Sequence, residues 1–532
     1  MKTVYQNGAV YTGELPLCEA FAVEDGRFIF AGSNEEAAKI AADERVDLRG
    51  AFVCAGFCDS HMHVLNYGQS LTVAPLYART ASLEDMVACL TETKPGRGGW
   101  ILGRGWNQDF FSGEKKMPTR WDLDRASTEH PICATRACGH ALVVNSRALE
   151  LLGITGDTPQ MDGGEIVMEN GEPNGVFLDN AMDLVLDTIP APTREETKDM
   201  LRAAMKQLNT YGITSCHSDD YCAFHALPWR EVNAAYRELE AAGEMTVRVY
   251  QQANFAEENK LREFIAEGNV TGTGSEFFKI GPLKLLGDGA LGARTAYLSR
   301  PYADAPDTRG LSVFTPEQFD ALIGIAHENG MQIAVHCIGD ACLDLVLGSL
   351  KKALAAHPRE NHRHGIVHCQ ITREDQLRDI AQMGLHVYAQ GIFLDYDIHI
   401  VRERAGEELA ATSYSWKTLM KQGATVSGGS DCPVELPRVL AGMQCAVTRC
   451  DLAGSGPYLP EEAFTVQEAI DSFTKGGAYA SFEENARGKI AAGMPADFVI
   501  LGQNPFETDK HAIKDIPVTA TYLAGKPVYK KA

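Results

Sequence analysis

Several things that this chain of 532 residues lacks narrow what it can be. No run of 18 apolar residues occurs, which removes a membrane-spanning helix. Positive charge is scarce: 49 Lys and Arg stand against 71 Asp and Glu, a formal net charge of −22. Such a field repels phosphate backbones and anionic lipid, so nucleic acid and membrane partners are disfavoured. Among fourteen cysteines no two are spaced as CxxC, and the start Met1-Lys2-Thr3-Val4-Tyr5-Gln6-Asn7-Gly8 carries one lysine and no apolar signal core. The expectation is a soluble cytoplasmic protein with reduced, mostly buried thiols. Cys216 and Cys222 near His217 imitate a metal site, although zinc sites favour tighter spacing.

What is present is enough apolar material, 45% of the residues, for a large domain and something more. The first fifty residues read as short strands, Thr3 to Tyr5, Ala9 to Tyr11, Ala20 to Val23, Arg27 to Ala31 and Val46 to Val53. The last fifty give Phe498 to Leu501, Thr519 to Leu523 and a turn at Gly525-Lys526. Neither end can bury a core alone, so residues 1–53 and 484–532 are expected to pair into one split β-sandwich. Between them, apolar runs alternate with amphipathic helices. Strands are predicted at Gly212 to Cys216, Thr246 to Gln251, Ile280 to Leu286, Gln332 to His336, Gly365 to His368, His386 to Gln390 and Ala424 to Ser427. Seven or eight such units favour an α/β fold, a closed (β/α)8 TIM-like barrel over residues 54–483. Residues 72–192 break the rhythm and read as a large insertion after the first strand.

The strongest chemical signal is Gly56-Phe57-Cys58-Asp59-Ser60-His61-Met62-His63. Side chains alternate along a strand, so His61 and His63 share a face and can grip one ion. Further His and Asp residues end later apolar runs, at His336, His368 and Asp431. In a barrel those positions converge on the C-terminal mouth, where catalytic residues of this architecture lie. Taken singly, each strand-end histidine is equally a satisfied core residue.

These motifs, with Lys284-Leu285-Leu286-Gly287-Asp288-Gly289-Ala290-Leu291-Gly292-Ala293-Arg294-Thr295, His336-Cys337-Ile338-Gly339-Asp340, His368-Cys369-Gln370, Ser430-Asp431-Cys432-Pro433-Val434 and Gly488-Lys489-Ile490, resemble the amidohydrolase superfamily. Within it the likeness is to the YtcJ-like amidohydrolase family 3, a group that includes N-substituted formamide deformylase. The resemblance spans nearly the whole chain; Ala55 stands where the family often has Pro. It implies a binuclear site with two divalent ions, zinc being the expected metal. His61, His63 and Asp431 would hold one ion and His336 and His368 the other, with carboxylated Lys284 and a hydroxide between them. Asp431 would also act as the catalytic proton carrier. From the residues alone, Lys284 is as readily an ordinary strand lysine.

Around this centre, Asp288 and Arg294 sit in a Gly-rich loop after Lys284 and are expected to contact substrate, as are His140 and Gln390; His140 is otherwise an exposed loop histidine. Asp340 would support a ligand from behind or pair with a neighbouring helix. The implied function is hydrolysis of a non-peptide carbon–nitrogen bond in a small-molecule amide, most simply an N-substituted amide or formamide. Alternatives are a mononuclear, deaminase-like site with Lys284 unmodified, a cyclic amide as substrate, and a non-enzymatic barrel, which six filled ligand positions disfavour. A homodimer is the default expectation.

Overall fold

The computed structural model describes residues 1–531 apart from 79–80, 109–110, 137–140, 162–163 and 225. The chain divides into two compact units. One comprises Met1–Val64, Met205–Asp220 and Arg237–Ala532, the other Leu65–Ala204 and Tyr221–Tyr236.

Eight parallel strands form the centre of the first unit: β1 (Phe57–Met62), β2 (Ile213–Ser218), β3 (Arg248–Asn254), β4 (Phe278–Leu286), β5 (Ile333–Cys337), β6 (Gly365–His368), β7 (His386–Ala389) and β8 (Thr425–Gly428). They are hydrogen-bonded in sequence order in one nearly closed sheet. Each predicted strand is found within two or three residues at its ends. The runs β6 and β7 are buried at every position, as a barrel strand enclosed on both faces must be. Helices connect the strands, such as Pro316–Glu328 between β4 and β5, which starts on a Thr315 capping box with proline in its first turn.

Two smaller sheets complete this unit. One has the strand order Arg27–Gly32, Ala20–Glu24, Lys2–Gln6, Glu44–Asp47; the other has Ala9–Val10, Phe52–Ala55, Phe498–Leu501, Val518–Leu523, Lys526–Lys530. Strands from both ends of the chain therefore share a sheet, with Phe52–Ala55 antiparallel to Phe498–Leu501. A single buried cluster joins Tyr5, Phe21 and Phe28 to Phe498 and Tyr522; Tyr5 stacks on Phe21 and Phe498 on Tyr522, at 4.6 and 4.3 Å between centroids. The expected strand from Val46 to Val53 is in fact two strands in different sheets. Arg49 and Gly50 take positive φ of 51° and 81°, a turn that breaks the extended run.

In the second unit the supposedly irregular stretch contains a six-stranded mixed sheet: Gly164–Glu169, Glu172–Asp179, Ala141–Val144, Ile132–Arg136, Ile101–Trp106 and Ala74–Pro75. Its strands are short and joined by both parallel and antiparallel pairings, which left no periodic trace in the sequence. Trp106 and Phe111 pack one face and Trp100 the other. All thirteen cysteines in described positions are free thiols. No helix among the described residues is long and apolar enough to cross a membrane.

One barrel histidine ties stability to pH. His386 on β7 is fully buried, bonded through Nδ1 to Thr425 Oγ1 and through Nε2 to Ser427 Oγ. Burial, reinforced by His217 and Arg363, lowers its pKa to about 3. Between that value and about 6.5 the unfolded chain binds one more proton than the folded one, so stability is complete above about 6.5 and falls as pH drops. His386→Gln should flatten the fall of urea-unfolding free energy from neutral pH toward 4.5 by up to about 1.4 kcal/mol per pH unit. An unchanged slope would show that this imidazole does not couple folding to protons.

Candidate metal centre

The sheet register brings the candidate ligands to one end of the barrel. His61 lies at the end of β1 and His63 just past it. Lys284 on β4 is opposite Asn254 and Ala334, His336 on β5 is opposite Leu286 and Val367, and His368 is the last residue of β6. Asp431 follows β8 by three residues. His368 and Asp431 turn the chain with φ of 72° and 58°, a left-handed backbone uncommon outside glycine.

The first and last strands are locked together here. Asp59 Oδ1 accepts the Ser430 and His61 amides at 3.0 and 3.3 Å, and Ser430 Oγ donates to Asp59 Oδ2. Asp431 N donates to His61 O at 2.8 Å and His63 N to Cys432 O at 2.7 Å. Gly429 permits the approach, because a Cβ there would lie 2.9 Å from His61 N. The result is a tight set of donors: one ligand atom each from His61, His63 and Asp431 lie within 4.8 Å of one another. Asp431 Oδ1 is 3.3 Å from His61 Nε2 and 3.1 Å from His63 Nε2. The His368 ring lies 5.6 Å from that of His61, and His336 lies 4.5 Å from His368.

Each imidazole is oriented by a bond from its other nitrogen. His63 Nδ1 meets the Asp219 carbonyl at 2.8 Å, and His61 Nδ1 meets Gln252 Oε1 at 2.7 Å. Gln252 donates its own amide nitrogen to Ser60 O, which fixes its oxygen toward His61. His368 Nδ1 meets Gln390 Oε1 at 2.8 Å, and its ring stacks on Phe393. In these three rings the acceptor places a proton on Nδ1, and in His61 and His63 the opposite nitrogen, Nε2, faces Asp431 Oδ1. His336 is reversed: Nε2 faces Gly289 O at 3.1 Å and Asp288 Oδ1 at 3.4 Å, so Nδ1 is its available donor.

The electrostatics match that geometry. Burial lowers the pKa of His61 and takes His368 well below its ordinary value, with His336 adding to the effect. Both stay neutral, as ligands must. Burial alone would raise Asp431, but the imidazoles of His61 and His63 lying against it outweigh that effect and hold the carboxyl well below the usual range. Neutral imidazoles converging on an ionised, buried carboxylate are a donor set that suits a divalent cation. Lys284 is buried, its Nζ 3.9 Å from Asp219 Oδ2.

The remaining expected residues lie elsewhere than foreseen or outside what is described. His140 lies outside the described residues. Asp288 is expected to touch substrate, yet it is fully buried and its two oxygens accept the Ile338, Gly339 and Tyr297 amides at 2.7 to 3.0 Å. Arg294 is engaged by Asp304 at 2.6 Å. Gln390 orients His368 through Oε1, while its buried Nε2 has no hydrogen-bond partner among the described residues. Asp340 pairs with Arg373 at 2.8 Å and accepts Ser299 N, the contact with a neighbouring helix that is its alternative reading. Sequence reading missed Gln252, Asp219, Asp59 and Phe393. The adjacent pair Gln251-Gln252, polar within a buried strand, was the one visible signal.

A model of the Amidohydrolase family matches residues 44–529. The Bacillus subtilis (strain 168) protein YtcJ, whose name describes it as an amidohydrolase, is 35% identical over all of both chains. N-substituted formamide deformylase of Arthrobacter pascens is 25% identical, over 96% of this chain and 95% of that one. An uncharacterized metal-dependent hydrolase from Pyrococcus furiosus superposes with a TM-score of 0.79 at 28% identity, covering 95% of this chain and 100% of that one.

Gln252→Leu removes the acceptor for His61 Nδ1 and should weaken divalent metal affinity about 10- to 100-fold, read by competition with a chromophoric chelator. Equal affinity in the variant would mean that packing alone aims the ring.

Proposed function

The chain belongs to the amidohydrolase family, and on that premise we propose that it is a metal-dependent hydrolase cleaving a non-peptide carbon–nitrogen bond, with an N-substituted amide or formamide as substrate. The observation that carries this reading is the convergence of His61, His63 and Asp431 beside the His368 and His336 rings. His61, His63 and Asp431 would hold one divalent ion, and His336 and His368 a second. Zinc is the metal that mixed imidazole and carboxylate donors suit best. Bound there, the ions would supply Lewis acidity, bringing the pKa of a water toward neutrality and polarising the scissile carbonyl.

The chain's own groups account for the protons. Asp431, kept ionised by His61 and His63, accepts the proton of the attacking water on a carboxylate oxygen and returns it to the leaving nitrogen, so the amine departs neutral. The glutamines behind His61 and His368 hold the imidazoles in one tautomer throughout. Lys284 is proposed to be carboxylated: its free amine adds to CO2 and releases a proton, leaving a carbamate with two oxygen donors. Burial supports this, since an ammonium in that position is poorly solvated, whereas a carbamate anion would complement two cations.

A second reading has an observation of its own, because the tight donor set contains only His61, His63 and Asp431. That set would also serve a mononuclear, deaminase-like centre with Lys284 unmodified.

Metal counting by plasma mass spectrometry, on protein expressed with added bicarbonate, separates the two. About two ions per chain falling to one or none in Lys284→Ala supports the bridged site; about one ion in both proteins favours the mononuclear centre. Active protein without a stoichiometric ion would sink both. With N-formyl and N-acyl amines as substrates, Asp431→Asn should lower kcat by about 10²- to 10⁴-fold. Full activity in that variant would remove Asp431 from proton transfer.

A further inference from the structure

The second unit contains a cavity of about 290 Å³, lined entirely by its own residues. Leu102, Met182, Leu186 and Ile189 give it apolar walls. A neighbouring cavity of about 260 Å³ shares Arg97 and Leu102 with it, so Arg97 stands at their junction. The guanidinium lies over the Phe224 ring at 4.6 Å and donates one hydrogen bond, from Nη1 to Pro190 O at 3.2 Å. Among the described residues it has no ion-pair partner. Partial burial lowers its pKa from the ordinary value, and Glu196 acts only through space to raise it. A guanidinium has five N–H donors in a planar fork. One is used here, and the ring beneath holds the plane in place.

A cavity with one apolar wall and a positioned, unpaired cation has the two halves of a site for an amphipathic anion. The other charges limit which anion. Apart from Arg97, Arg104 and Asp187 line the first cavity and Lys94, Glu196 and Asp199 the second, so acidic groups outnumber basic ones by one. A doubly charged phosphate would meet their repulsion, whereas a single carboxylate matches both the fork and the local charge. We propose that this cavity binds a small amphipathic monocarboxylate, its carboxylate paired with Arg97 and its alkyl or aryl body between Leu102, Met182, Leu186 and Ile189. The size of the cavity, at the lower end for small-molecule sites, fits a phenyl ring or a medium alkyl chain. The proposal is independent of the hydrolase reading, because it concerns residues of the second unit alone.

Isothermal titration of the metal-loaded full chain with octanoate and with 3-phenylpropionate tests it. Saturable, submillimolar binding is expected, with octanamide about tenfold weaker because the charge-assisted pair is lost. Arg97→Met should weaken octanoate by about tenfold or more. Ala191→Phe, which fills the partly exposed rim and leaves the charge intact, should weaken it as well. Circular dichroism and thermal melts establish that each variant is folded. Absence of saturable binding to the wild type would overturn the proposal. So would equal octanoate affinity in folded Arg97→Met, since a carboxylate held at the imidazole cluster would not respond to Arg97.

Discussion

Everything at the barrel mouth depends on how the first strand is joined to the last. Ladder hydrogen bonds hold β1 through β8 in order, but the seam between β1 and β8 is made by Asp59, Ser430 and the paired backbone bonds of His61, His63, Asp431 and Cys432. Those bonds set the two histidines and the carboxylate at ligand distance. A site assembled across a seam is rigid because each contact there is short, buried and bonded on both sides. Gly429 contributes by having nothing to place between the strands.

Burial then performs two opposite tasks at the same spot. It keeps His61 and His368 neutral, and it would neutralise Asp431 too if the imidazoles of His61 and His63 did not lie against it. The pattern of neutral bases around one ionised acid therefore follows from which groups touch which, not from depth alone. Gln252 and Gln390 extend this logic outward. Their amide oxygens choose the tautomer of His61 and His368 while adding no charge to the centre. His336 takes the opposite tautomer because a carbonyl and a carboxylate lie against its Nε2.

The second unit follows a different chemistry. Its sheet is mixed, its two faces bury separate apolar clusters, and its cavity has an aliphatic wall beside the Arg97 guanidinium. That chemistry suits recognition of an apolar group with a single charge, whereas the barrel mouth, crowded with imidazoles and carboxylates, suits the handling of cations and protons.

By itself the sequence determined the barrel strands, the amphipathic helices between them and the six ligand candidates. Those features are written locally, as period-two and period-3.6 patterns with polar residues at strand ends. The family likeness also rests on motifs contiguous in the chain. Only the tertiary structure decided what lies behind the candidate ligands. Gln252 and Asp219 come from strands or loops far in sequence from the histidines they orient, and no local pattern encodes such a pairing. The same is true of Asp288 and Asp340. Asp288 accepts loop amides and lies against His336 Nε2, and Asp340 pairs with a neighbouring helix, roles that the motif alone gives to neither. The mixed sheet of the second unit was hidden for a related reason: its strands are short and pair both ways, so their stability comes from partners distant along the chain and not from any pattern of their own.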